Sequence, residues 1–373
     1  MQIDELIRLT KNQEASDLIL TAGVPPVLRI DQKLVFTQLP ALSPEQIDEL
    51  LAPIMDEAKR EKFHKRLELS FIYSVSGWGR FRVNIFKQRG TTAATIRRFP
   101  YQLPSVEELY LPEATLRHLG SFRDGLVLIT GPAGGGKSTT LACLIRMIND
   151  SDPLHIITLE DPIEYLFKHN KSVIEQRSIP DDSPSFGESL KEILRQSPDV
   201  VVVGEIRDPE TLRHTLRVAE SGTLVLATFH TATAADTLNR IIYFFPKEEE
   251  QIRMQLSMIL RGVFSQQLIP LYQKQGLVPA WEALLLNERV APLVREGNIQ
   301  QIDNVIVTSS KFGMQSMDQT LLSLYNRKLI SKENLSLRLR HMNVEELTAD
   351  KDYLPSEEDS RLELDADTYN PNP

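Results

Sequence analysis

The run Gly131-Pro132-Ala133-Gly134-Gly135-Gly136-Lys137-Ser138 fits the pattern G-x-x-x-x-G-K-[ST] at every constrained position. Its glycines let main-chain N–H groups converge on phosphate oxygens where side chains would intrude. A helix that opens on this loop adds its positive end to the same point. Lysine at 137 can reach the β- and γ-phosphates of a nucleotide, and the hydroxyl at 138 can ligate Mg²⁺. The flanks fit this reading. Leu126-Val127-Leu128-Ile129 is a buried strand, and a helix is expected from Ser138 to Ile148. Gly131, Pro132, Ala133, Gly134, Gly135, Gly136, Lys137, Ser138 and Thr139 are therefore the candidate nucleotide-binding residues.

Downstream, strands and helices alternate. Ile156–Leu159, Val200–Val203 and Leu224–Thr228 read as strands, and Phe186–Arg195 and Glu210–Glu220 as helices. Such alternation implies a parallel sheet covered on both faces. Each strand ends in a residue suited to phosphate chemistry. Asp199 to Glu205 is a hydrophobic strand closed by a carboxylate, and Glu205 can hold a water or the metal, so Ser138 and Glu205 are the candidate metal residues. Leu159-Glu160-Asp161-Pro162-Ile163-Glu164 places three acids where open α/β folds bind ligands. Hydrolysis needs an oriented water and a proton acceptor, a task for either Glu160 or Glu164. His230 follows the next strand and reads as a γ-phosphate sensor. The other six histidines show no metal-ligand spacing, and Cys143 reads as core packing. After Phe244-Phe245-Pro246 the chain reads as mostly helical through Arg340.

Residues 1–100 form a small α+β domain on this reading. Ser43-Pro44-Glu45-Gln46 is a capping box that opens a helix carrying Ile47, Leu50, Leu51 and Ile54 on one face. Phe81, Val83 and Ile85 alternate with Arg82, Asn84 and Phe86 as in a strand, with Gly77 and Gly90 at turns. Residues 101–113 read as a linker with a short helix, and 114–345 as the nucleotide-binding domain. The 373-residue chain carries a net charge of -9, and six of those charges come from the segment that starts at Asp350. Residues 346–373 are too acidic and too poor in apolar side chains to fold alone. The remaining body is only mildly acidic and offers no groove to track a phosphate backbone, so no nucleic-acid partner is expected. The basic run Lys59–Arg66 reads as a solvated helix face. One cysteine excludes a disulfide framework. The acid pair Asp4-Glu5 and the lack of a long apolar run point to a cytoplasmic protein.

The order GPAGGGKST (131–139), EDPIE (160–164), LRQSPDVVVVGEIRD (194–208), FHT (229–231) and GMQSMDQTL (313–321) resembles the secretion-type ATPases. Within them it resembles the PilT/PilU-type motors of type IV pilus retraction. SDLILTAGVPPVLRIDQKL (16–34) and GRFRVNIF (79–86) carry the likeness into the N-terminal region. The resemblance implies a PAS-like N-terminal domain, a RecA-like ATPase domain and a homohexameric ring that hydrolyses ATP with Mg²⁺ to drive retraction and twitching motility. It makes Glu164 the catalytic base and His230 the His-box residue. It also makes Arg82 and Arg97 arginines aimed at a neighbour's nucleotide. A planar, always-charged guanidinium suits that task. The implied partners are an inner-membrane platform protein, at whose cytoplasmic face the ring would sit, and a paralogous retraction ATPase. The chain departs from the usual pattern at Thr223, where such motors carry histidine, and at Val290–Glu296, where their AIRNLIRE signature is altered. With Ile242–Pro246, Leu260-Arg261-Gly262 and the acidic tail, these departures look closer to PilU, and they imply an accessory motor as the alternative. A pilus-assembly or type II secretion ATPase would instead carry a four-cysteine zinc site.

Overall fold

The computed structural model describes residues 2–30, 33–75, 78–99 and 103–340. Two compact units divide the chain, residues 1–103 and 104–373.

Among its described residues the first unit is an antiparallel sheet with three α-helices. Helix α1 (Ile3–Asn12) leads into β1 (Asp17–Leu20), β2 (Val27–Ile30) and β3 (Lys33–Phe36). Helices α2 (Pro44–Leu51) and α3 (Glu57–Arg66) precede β4 (Glu68–Val75), β5 (Gly79–Gln88) and β6 (Thr91–Arg98). The sheet order is β3-β2-β1-β6-β5-β4. Helix α2 begins where the capping box places it. Ser43 Oγ accepts from Gln46 N at 3.3 Å, and Gln46 returns a carbonyl to Ser43 N at 2.9 Å. Its Ile47, Leu50 and Leu51 join Leu6, Leu18, Phe81 and Val83 in one core. On α3 only Phe63 is buried, so the basic run is the solvated face that its composition suggests. Gly90 makes the β5–β6 turn with φ of +80°, a left-handed conformation that favours glycine. Gly77 lies outside the described residues.

The second unit holds a seven-stranded sheet. After α4 (Glu113–Ser121) come β7 (Gly125–Thr130), α5 (Lys137–Ser151), β8 (His155–Glu160) and β9 (Val173–Ser178). Next are α6 (Phe186–Glu192), β10 (Val200–Val203), α7 (Pro209–Glu220), β11 (Leu224–Phe229) and α8 (Ala234–Tyr243). Helix α9 (Glu249–Ile259) runs directly into β12 (Leu260–Pro270), which pairs with β13 (Leu277–Leu285). Helices α10 (Val290–Glu296), α11 (Ile302–Thr308), α12 (Met317–Asn326) and α13 (Lys332–Ser336) complete it. The order is β13-β12-β7-β11-β10-β8-β9, and every neighbouring pair is parallel except β12 with β13. Strands β7, β10 and β11 are buried along their whole length, as their unbroken apolar runs require.

The structure corrects the helical reading of the segment after Pro246, which contains the long hairpin β12–β13. Leu260–Pro270 and Leu277–Leu285 are buried on both faces for most of their length. They therefore lack the alternation that marks a half-buried strand. Strand β9 gave no sequence signal of its own. The short helix expected before Pro112 is a turn over residues 106–110. The chain there is held to the second unit by Arg146, which donates to Pro104 O at 2.8 Å. Among the described residues no helix is long and apolar enough to cross a membrane. The acidic tail, 346–373, lies outside them.

The exposed capping box permits a direct check. Ser43→Ala leaves Gln46 N without its side-chain acceptor, and the transition of the first unit in urea should lose about 1 kcal/mol. An unchanged midpoint would mean that the cap contributes nothing.

Candidate active site

Parallel pairing brings the carboxyl ends of β7, β11, β10 and β8 to one edge of the sheet. Each strand delivers there one of the segments singled out in the sequence. Together they line a cleft of about 580 Å³ that includes Gly134, Lys137, Glu164, Glu205, Arg207 and His230.

The loop after β7 is shaped by glycine at two points. At Gly131 a Cβ would stand 2.2 Å from the main-chain oxygen of Gln266. At Gly136, which caps α5 with φ of +84°, a Cβ would stand 2.8 Å from the Gln266 amide. Helix α5 then starts at Lys137, whose Nζ donates to Gly131 O at 3.0 Å and Pro132 O at 2.9 Å. The same Nζ lies 3.3 Å from His230 Nδ1. Lys137 is buried, and that burial lowers its pKa from the ordinary lysine value, against the opposing charge of Glu205.

His230 faces Glu205 on its other side, with Nε2 2.6 Å from Oε1. The second Glu205 oxygen takes Arg207 Nη2 at 2.5 Å, and Arg207 Nη1 reaches Asp161 at 3.6 Å. Partial burial raises the Glu205 pKa, but Arg207 and His230 together outweigh it and hold the carboxyl below its usual value. Lys137, His230, Glu205, Arg207 and Asp161 thus form one chain of polar contacts across the cleft.

The two candidate bases differ in their surroundings. Glu160 accepts from Thr158 Oγ1 at 2.6 Å and from Gln176 Nε2 at 3.0 Å. Burial and the nearby Glu164 charge raise its pKa despite these bonds. Glu164 instead faces the P-loop, where Ser138 Oγ donates to it at 3.3 Å. Thr139 turns to Tyr165, with the two hydroxyls 3.1 Å apart. Ser138, Glu164 and Glu205 present hydroxyl and carboxylate oxygens, the donors that Mg²⁺ selects.

Arg82 and Arg97 do not line this cleft; they belong to the first unit. There Arg82 stands opposite Arg97, and Arg97 opposite Asp17, across β5, β6 and β1. Arg97 Nε bonds the buried Asp17 at 2.8 Å while most of its side chain stays exposed. Asp17 also attracts Arg29 at 3.7 Å, which makes a cationic row on one sheet face.

Three contributors escaped the sequence reading. Gln266 on β12 is buried; its oxygen accepts from Thr140 at 2.6 Å and its amide donates to Gly135 O at 2.5 Å. It therefore backs the P-loop from the neighbouring strand, and its segment was expected to be helical. Gln176 lies on the unforeseen β9. Arg207 had a signal, because it follows Glu205 by two residues and so had to emerge at the same edge.

This sheet, its P-loop and the carboxylates beside it define a RecA-like ATPase fold. The chain belongs to the family of type II/IV secretion system proteins, which it matches over residues 70–348. It is 39% identical to the type IV pilus ATPase PilU of Pseudomonas aeruginosa over 335 residues, covering 90% of this chain and 87% of that one. It is 40% identical to PilT, the type IV pilus retraction ATPase of the same organism, covering 90% and 97%. The crystal structure of the pilus retraction motor PilT with bound ADP superposes with a TM-score of 0.86 at 42% identity, over 94% of this chain and 100% of that one.

The Gly131 contact is with backbone and cannot yield by a rotamer change. Gly131→Ala should therefore displace the loop and weaken nucleotide binding at least about tenfold, a misplacement effect measurable with a fluorescent ADP analogue. Wild-type affinity in that variant would show that the loop tolerates the shift.

Proposed function

We propose that this chain is an ATP-hydrolysing motor subunit of type IV pilus retraction, assembled as a homohexameric ring. The observation that carries this reading is the contact of three separate motifs at one point. Lys137 touches His230, and His230 touches Glu205, on a frame about 40% identical to PilT and PilU.

In this reading Gly131 to Thr139 wrap the phosphates with main-chain N–H groups, and Lys137 turns from Gly131 O and Pro132 O toward the β- and γ-phosphates. Ser138 and Glu205 would hold Mg²⁺, Glu205 through a water; the bound ion neutralises charge on the phosphate oxygens. Glu164 orients the attacking water and accepts its proton. Its exposure to Ser138 supports that role better than the half-buried position of Glu160, bonded to Thr158 and Gln176. His230 reports the γ-phosphate to Glu205. Arg82 and Arg97 act on the nucleotide of a neighbouring subunit, where charge grows toward the transition state. Residues 1–100 would be the PAS-like domain and 114–345 the ATPase domain. An inner-membrane platform protein is the proposed docking partner at the cytoplasmic face.

The altered segment Val290–Glu296 favours a second reading, an accessory subunit that works beside a paralogous retraction ATPase. Deleting the gene separates the readings. Abundant but immobile pili support an independent motor, a defect only under load supports an accessory one, and loss of pili points to an assembly ATPase.

Glu164→Gln should lower kcat by about 100-fold or more with little change in KM, the signature of a group used in the transition state. Glu160→Gln should cost less; the reverse order in a steady-state assay would move the base to Glu160. For the arginines, Lys137→Ala and Arg97→Ala subunits, each inactive alone, should regain partial ATPase activity in mixed rings. Mixed rings without recovery would mean that Arg97 serves its own subunit or only its sheet.

A further inference from the structure

The buried carboxylate of Glu282 has no part in the chemistry described so far. It sits on β13, 5% exposed, opposite Ser265 on β12, which in turn is opposite Thr130, the last residue of β7. Ser265 and Thr130 share a hydrogen bond of 2.7 Å. Glu282 therefore lies level with the start of the P-loop, two strands away.

Its partners are the beginnings of two helices. Ala234, the first residue of α8, donates its N–H to Glu282 Oε1 at 2.9 Å. Met317, the first residue of α12, donates its N–H as well. Both amides lack intrahelical acceptors because of their position. The side-chain caps of these helices, Thr233 and Ser316, serve other amides, those of Asp236 and Gln319. One carboxylate thus satisfies both, at the convergent positive ends of two helix dipoles. Arg340 adds positive charge nearby and Asp303 negative charge.

The segment anchored in this way carries the phosphate-facing histidine. Only Thr231, Ala232 and Thr233 separate His230 from Ala234. Arg340 holds the same short loop through Ala232 O at 3.3 Å, while its own N–H donates to Asp318 on α12 at 3.1 Å. The 3.3 Å and 2.6 Å contacts of His230 to Lys137 and Glu205 depend on where this loop ends.

We propose that Glu282 is a positioning residue for the nucleotide site. It fixes the loop that presents His230 to Lys137 and Glu205, and it ties that loop to α12. The proposal rests on the hydrolytic reading of the site for its kinetic consequence, but not for its structural one.

The test uses the full-length chain with Glu282→Gln, which keeps shape and one acceptor, and Glu282→Ala, which keeps neither. Hydrogen–deuterium exchange should rise in peptides covering 229–236 and 315–319, more in the alanine variant, while 131–138 stays as in the wild type. ATP turnover should fall about 10- to 100-fold, the scale of a misplaced catalytic group, with KM within about twofold. Wild-type exchange at 229–236 overturns the proposal, as does raised exchange with unchanged kcat. A uniform rise in exchange across the chain also overturns it, since Glu282 would then serve stability alone. Exchange needs no hydrolysis. A wild-type protein without ATPase activity would therefore sink the proposed function and leave the exchange comparison to decide the role of Glu282.

Discussion

Parallel pairing of β7, β11, β10 and β8 is the constraint on which the rest of the second unit depends. Strands that run the same way finish at the same edge, so four loops distant in sequence must meet there. The 2.6 Å contact between His230 and Glu205 follows directly, since each residue leaves a strand hydrogen-bonded to the other's. Thr228 Oγ1 closes the pair by donating to Gly204 O at 2.5 Å. Gly204 itself lies against the Leu159 main chain, where a Cβ would stand 2.9 Å from the carbonyl oxygen. Side chains that meet in the cleft therefore inherit their positions from main-chain ladders rather than from flexible reach.

Much of this was legible in the sequence, because the signals were local. A glycine loop between an apolar strand and a helix has few alternatives, and each acid or histidine after an apolar run could be assigned an edge. The hairpin β12–β13 was not legible. Its residues are apolar on both faces because the strands are buried on both, so periodicity carried no information. Gln266 and Glu282 were hidden for the same reason. Their importance comes from partners far away in the chain, Gly135 and Thr140 for one and Ala234 for the other. Glu160 and Glu164 could not be ranked from spacing. Their difference arises from the packing around Glu160 and from its bonds to Thr158 and to Gln176, the latter on β9, a strand without its own sequence signal.

The first unit shows the same logic with charge. Asp17 is buried beneath Arg97 and Arg29, so removing the acid would leave two guanidinium groups crowded near a third, Arg82. An exposed arginine is costly to orient, because a long side chain loses rotamer freedom. A buried acid held against its Nε limits that freedom in Arg97.

The dependence of the P-loop on Gln266 also bears on how the chain is made. Gly135 and its backing amide are 131 positions apart. At 5–20 residues per second, a ribosome would take roughly ten seconds to add the strand that completes a loop already synthesised. Throughout that interval the nascent chain holds the glycines without the wall that shapes them. The P-loop therefore gains its full support only once β12 has been made, late in biosynthesis.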